Sequence, residues 1–238
     1  MSTEAGRATV SAGQGTYRET DAFRELVSST ATVGGADWCR TLLMCATDLA
    51  TVPDGAVLLR NGAGGLSAAH ASDPGLLGHS AAMAAAGWGP LLECLDTGRP
   101  LSVATRRADG AGVPDGIAGV FAGLHLFPVS HRGDGHGVVM VCDRVPDRLG
   151  ARQADAVSFI AAAAGLLVSH AQEVAEARRL AAQLQHALDS RVLVEQAKGY
   201  VAGRDGHDIG TAFRVLREKA RSERRPLADV AKETLPGV

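Results

Sequence analysis

From residue 21 onward, apolar positions recur first at helical and then at strand spacing. In "DAFRELVSSTA" (21–31), Phe23, Leu26 and Val27 share one helical face, and Asp21 can cap it. A second helix fits 36–51, where Trp38, Leu42, Cys45 and Leu49 repeat at four, three and four. "GAVLLR" (55–60) and "LSAAHA" (66–71) read as strands joined by the hairpin signal "NGAGG". "DPGLLGHSAAMAAA" opens with an N-cap followed by proline, as helices do. "GPLLECLDTGRP" holds another short helix between Pro90 and Gly98, and 101–103 is a short strand. Residues 104–116 form a loop rich in glycine and charge. Two strands follow, with "HRGDGHG" as their turn, so that His131 and His136 are expected as solvated loop residues. After Gly165 no breaker interrupts the pattern for more than 25 residues, which predicts a long helix leaving the domain. Residues 1–20 have no periodicity and are expected to be disordered.

This order predicts an α+β fold: an antiparallel sheet with flanking helices, a long connecting helix and a short helical tail. Within the long helix, Val174, Ala177, Ala181, Leu184 and Leu188 alternate at three and four, a heptad seam. A dimerising coiled coil is the preferred reading, and packing of the helix on its own domain is the other. Alanine buries little apolar area, so the association is expected to be weak and to suit a switch.

The tail reads as three helices. "RVLVEQAKGYVAG" is the first, with Ala197 and Gly199 keeping one side slim for close contact. "RDGHD" breaks it, and Asp208 can cap the second, "IGTAFRVLREKARSE", whose apolar face is Ala212, Phe213, Leu216 and Ala220. Arg214, Arg217, Arg221 and Arg224 recur at three, four and three on a different stripe. Pro226 ends that helix, and "LADVAKETL" makes the third, with Leu227, Val230, Ala231 and Leu235 inward. A row of arginines is either a solvated face, with Glu218 and Glu223 as neighbours, or a phosphate reader, since the planar guanidinium donates in pairs. Tyr200 is the only interleaved aromatic. A folded or double-helical nucleic acid is therefore the better match than a stacked single strand.

Composition bounds the rest. The 238 residues are 46% hydrophobic but only 4% aromatic, so the core is aliphatic. Net charge is −2, unevenly spread. From Arg191 to Val238 there are 10 basic and 7 acidic side chains; the preceding residues hold the remaining 14 and 19. Cys39, Cys45, Cys94 and Cys142 form no C-x-x-C pair and sit among apolar neighbours, which predicts buried structural thiols. His79 and His125 are conceivable haem ligands, but no histidine shows metal spacing. There is no P-loop, G-x-S-x-G or H-E-x-x-H, and Cys94 is the only conceivable nucleophile, so no enzyme is expected. No signal peptide or uncharged run of 18 apolar residues is evident. The chain is expected to be cytoplasmic, without a membrane partner.

Two resemblances sharpen this reading. "GWGPLLECLDTGRPLSV" and "GVFAGLHLFPV…GVVMVC" resemble the GAF domain, over about residues 22 to 170. That implies a sensor domain, here assigned to 21–170, whose ligand is unknown; the domain could also serve only as a dimerisation platform. No receiver-type acidic cluster is present. "EQAKGYVAG…GTAFRVLREKARSERRPLADVA" is similar to the ANTAR domain, the RNA-binding module of bacterial transcription antiterminators. The resemblance rests on Ala197-Lys198-Gly199, on Ala212-Phe213 through Leu216-Arg217 to Ala220, and on Leu227 with Asp229-Val230-Ala231. It implies binding to hairpins in nascent transcripts by a homodimer, with 171–190 as coiled-coil linker and 191–238 as the binding domain. Lys198, Arg217 and Arg221 are then the first phosphate contacts, with Arg214 and Arg224 behind them. The chain departs from the family at Arg224, where Asn is frequent, at Lys219 and at Pro226. A DNA-binding helix-turn-helix tail is the alternative, although the last helix is poor in polar base readers.

Overall fold

The computed structural model describes residues 19–29, 33–105, 112–146 and 148–236. The chain divides into two compact units, Met1–Gln172 and Glu173–Val238.

The first unit begins with a helix over 19–28, α1. The disorder expected for 1–20 falls on 1–18, outside the described residues, while residues 19 and 20 are helical. Asp21 therefore lies inside α1 rather than capping it, and its carboxylate accepts from Arg24 Nη1 at 2.9 Å. Then come α2 (Ala36–Ala50), β1 (Asp54–Arg60), β2 (Leu66–Ala71), α3 (Pro74–Ala85), α4 (Gly89–Thr97), β3 (Leu101–Ala104), α5 (Asp115–Ala118), β4 (Gly123–His131), β5 (Asp134–Asp143) and α6 (Ala151–Asp205). The short α5 begins inside the end of the expected loop 104–116, of which residues 106–111 are outside the described residues.

The five strands form one antiparallel sheet in the order β2-β1-β5-β4-β3. Its central strand, β5, is buried on both faces, which is why "GVVMVC" is a continuous apolar run rather than an alternating one. The side-chain period of two still sorts the residues. Val139 and Val141 join Val57, Phe127 and Val129 under α2 and α6, through Trp38, Leu42, Val157, Ile160 and Ala164. Val138 and Met140 join Leu58, Leu124 and Leu126 under α3, α4 and α5, through Leu76, Met83, Leu91, Cys94 and Ile117. Each such large side chain contributes roughly 1.5–3 kcal/mol by leaving water.

Gly165 sets how closely α6 approaches the sheet. A Cβ there would lie 2.3 to 2.6 Å from the backbone O, C and N of Ser130. Ser130 adjoins a register shift between Val129 and Ser130 in the β4–β5 ladder. The helix thus crosses directly over a bulge, and only a glycine fits between the two backbones. α6 is apolar and long enough, by composition alone, to cross a membrane. In this structure its Val157, Ile160, Ala161 and Ala164 are buried in the core, as the sequence reading expects for a helix packed on a sheet.

The turn between β4 and β5 corrects the sequence reading. Arg132 and Gly133 both take positive φ, 52° and 91°, the signature of a two-residue hairpin turn. The strands therefore run much further than expected, and "HRGDGHG" is mostly strand. His131 ends β4, and His136 lies within β5, buried rather than solvated, with no hydrogen-bond partner for Nε2 among the described residues.

In the second unit the helix that begins at Ala151 continues to Asp205, followed by α7 (Ile209–Glu223) and α8 (Leu227–Thr234). The predicted first helix of the tail is therefore no separate element but the end of α6. Ala197 and Val201 of α6, Ala212, Leu216 and Ala220 of α7, and Val230 and Ala231 of α8 form its core. Leu193, Val194, Ala202, Leu227 and Leu235 pack around them.

Candidate nucleic-acid interface

Asp208 starts α7 as predicted. Its carboxylate accepts from Thr211 N at 3.0 Å and from the Thr211 hydroxyl at 2.6 Å. These two bonds hold its carboxyl below the usual range. Arg214 Nη2 in turn donates to Thr211 Oγ1 at 3.0 Å, so the cap also orients the first arginine of the row.

At about 100° per residue, Arg214, Arg217 and Arg221 fall within about 60° of arc. Their centre lies about 130° from that of the buried Ala212, Leu216 and Ala220. Arg224 is placed differently. It ends the helix in the left-handed region at φ 53°, so helical periodicity does not set its direction. All four arginines are exposed. Among the described residues, no carboxylate lies within ion-pair distance of any of them. Glu223, named above as a neighbour, faces the other flank toward Arg225 at 3.3 Å and Lys219 at 4.0 Å.

Lys198 differs from the arginines. It reaches Glu195 at 2.8 and 3.0 Å, and its side chain is only 16% exposed. Its Nζ lies 5.3 Å from the centroid of Phe213, and Arg217 Cζ lies 5.7 Å from the same centroid. The half-buried Phe213 ring thus brings α6 and α7 cations onto one surface, each gaining on the order of 0.5–1 kcal/mol. Of the expected close-packing residues, Ala197, Ala212, Leu216 and Ala220 are buried. Gly199 is not: it is exposed, and a Cβ there would meet nothing within 4 Å. Its expected packing role within the chain is corrected accordingly.

Sequence reasoning missed Arg225. It donates through Nη1 to Glu233 at 2.8 Å and through Nη2 to the same carboxylate, joining the end of α7 to α8. That contact holds the Glu233 carboxyl below its usual range. The partners are eight residues apart across a proline turn, a spacing that no helical rule singles out.

Upstream in the second unit, the seam residue Val174 is half-buried, while Ala177, Ala181, Leu184 and Leu188 are exposed. Leu180 and Val192, not named in the seam, are exposed beside them.

In the first unit, burial raises the thiol pKa of Cys39 to about 11 and of Cys94 to about 12, so Cys94 is a poor nucleophile. Both ring nitrogens of His125 are engaged: Nδ1 with Ser102 Oγ at 2.8 Å, and Nε2 with Asp143 Oδ2 at 3.1 Å. The carboxylate can only accept, so Nε2–H donates to it, while Nδ1 and the serine hydroxyl share the other bond. The ring of His79 covers Gly116. With both ring nitrogens engaged, His125 has none free for a haem iron. A cleft of about 360 Å³ between α1 and α2 is lined by Asp21, Ala22, Glu25, Met44, Cys45 and Asp48.

Residues 182–234 match the family model described as ANTAR domain. The first unit has the fold of the GAF domain from an Acinetobacter phosphoenolpyruvate-protein phosphotransferase. That match has 16% identity and TM-score 0.52, over 65% of this chain and 95% of that one. The GAF-B domain of DevS from Mycobacterium smegmatis is also similar, at 15% identity and TM-score 0.45, over 64% of this chain and 99% of that one. No curated protein matches the chain. The chain therefore carries a segment that matches the ANTAR domain, behind a domain of GAF fold.

Proposed function

We propose that the chain is a transcription antitermination regulator whose ANTAR domain binds stem-loops in nascent RNA. The observation that supports this most is the arginine row of α7. Arg214, Arg217, Arg221 and Arg224 are exposed without carboxylate partners among the described residues, next to Lys198 across Phe213. A guanidinium row on a rigid helix matches the phosphates along a groove. Lys198 and the arginines hold the backbone of a stem, and a terminator hairpin then cannot form in competition.

Two copies act together through α6. Val174, Ala177, Ala181, Leu184 and Leu188 form the seam, and Leu180 and Val192 widen it. The GAF-fold domain, 21–170, biases that association in response to a signal, through the linker 171–190 to the binding domain 191–238. The protein works in the cytoplasm, as a regulator rather than a catalyst.

A competition between an RNA hairpin and duplex DNA of matched length tests the reading. Preference for the hairpin at physiological salt is expected. Equal or stronger binding to the duplex contradicts it and favours a helix-turn-helix role.

A further inference from the structure

In the first unit, polar side chains from three adjacent strands meet at one end of the sheet. Ser102 of β3 is the register partner of His125 of β4, and Asp143 of β5 is that of Gly123. By the side-chain period of two, His125 shares the face of Phe127 and Val129, and Asp143 that of Val141. Ser102 Oγ and His125 Nδ1 lie 2.8 Å apart, and His125 Nε2 lies 3.1 Å from Asp143 Oδ2. These partners are 23 and 18 residues apart in the chain, a spacing that no sequence motif marks. The side chain of Asp143 is 1% exposed and that of His125 14%, while Ser102 is open to solvent. Leu149 N fixes the carboxylate by donating to Oδ2 at 3.1 Å. Its Oδ1 is buried with no hydrogen-bond partner among the described residues. Thr105 N donates to Ala122 O at 3.1 Å, which sets the alternation of the β3–β4 ladder. By that alternation the Ser102 N–H points away from β4. Since β3 is an edge of the sheet, this donor has no strand partner.

We infer that Ser102 is a reactive serine that takes up an acyl group from a small activated ester. In the neutral ring, Nε2–H donates to Asp143 and the Nδ1 lone pair faces Ser102 Oγ. Oγ attacks the ester carbonyl carbon while its proton passes to Nδ1. Asp143 orients the ring and stabilises the imidazolium, and the outward Ser102 N–H donates to the oxyanion. When the tetrahedral adduct collapses, the bond to the leaving oxygen breaks and Nδ1 returns the proton to that oxygen. The products are an acyl-serine and the free alcohol, so the reaction leaves a covalent mark on the GAF-fold domain.

Incubating the full-length protein with p-nitrophenyl acetate tests this, with nitrophenolate release followed and the acetyl group mapped by peptide mass spectrometry. Ser102 should be acetylated on the order of 100-fold faster than any other serine. Ser102→Ala, a change at an exposed position, should remove that label with unchanged circular dichroism. His125→Ala should slow labelling of Ser102 on the order of 100-fold. Added imidazole should restore part of that rate, which the loss of a merely structural contact would not allow. Labelling of Ser102 no faster than that of other serines overturns the inference, whether or not His125→Ala folds. Wild-type labelling in folded His125→Ala, or a slowed rate that imidazole leaves unchanged, overturns it as well. None of these readouts involves RNA.

Discussion

Arg224 closes α7 at φ 53°, a conformation that costs a non-glycine residue roughly 1–2 kcal/mol. The end is held by Arg225 N donating to Ala220 O at 3.0 Å, which closes the turn around it. An arginine tolerated at such a point suggests that its charge is used. Arg224→Asn, which suits the left-handed region better, should stabilise the second unit by about 0.5–1 kcal/mol in thermal melting. The same variant should weaken hairpin binding. Weaker folding together with unchanged binding contradicts both halves of this account.

His136 supplies the clearest pH effect. Burial lowers its pKa, and the charges of His131 and Arg60 lower it further, against Asp134, which raises it. The unfolded chain therefore takes up this proton first. Stability from neutral His136 is complete above about pH 6.5 and is lost as pH falls from there through the folded value. Urea midpoints for the wild type should fall between pH 7 and pH 5.5, and His136→Leu should flatten that fall. An equal fall in the variant assigns the effect to other groups.

At the scale of elements, two glycines in α6 make opposite predictions. Gly165→Ala forces a Cβ onto the Ser130 backbone and should cost about 1–3 kcal/mol or more, read as a lower urea midpoint of the first unit. Gly203→Ala points into open space and should raise helix stability by roughly 0.5–1 kcal/mol. Equal effects at the two sites remove the argument that α6 lies tight on the bulge. The same helix shows what the sequence could reveal. Period and caps placed α3, α4, β1 and β2 almost to the residue, since "DP", "GP" and "NGAGG" have local causes. They could not show that α6 runs unbroken into the tail, because nothing between Arg191 and Asp205 marks a start. Nor could they find the tight turn at Arg132-Gly133. A glycine-rich stretch reads as a loop unless the positive φ of its arginine is known. In the candidate site, Arg214, Arg217 and Arg221 were legible from spacing alone. The Glu195–Lys198 pair and the shared Phe213 ring needed the third dimension.

At the scale of the whole molecule, acidic residues outnumber basic ones before Arg191, and the reverse holds after it. On the proposed reading, this imbalance favours a polyanion at the tail over the GAF-fold domain. If the chain acts in antitermination as proposed, its binding must be one that can be turned off, and a proposed seam with two alanines among five positions suits such an equilibrium. The central claim, that the arginine row of α7 grips paired RNA, is tested most directly by titrating one hairpin against wild type and Arg217→Ala/Arg221→Ala at two salt concentrations. The account predicts on the order of 10- to 100-fold weaker binding at low salt, a salt slope reduced by about 1.5–2, and unchanged helix content by circular dichroism. An affinity and slope equal to those of the wild type would contradict it.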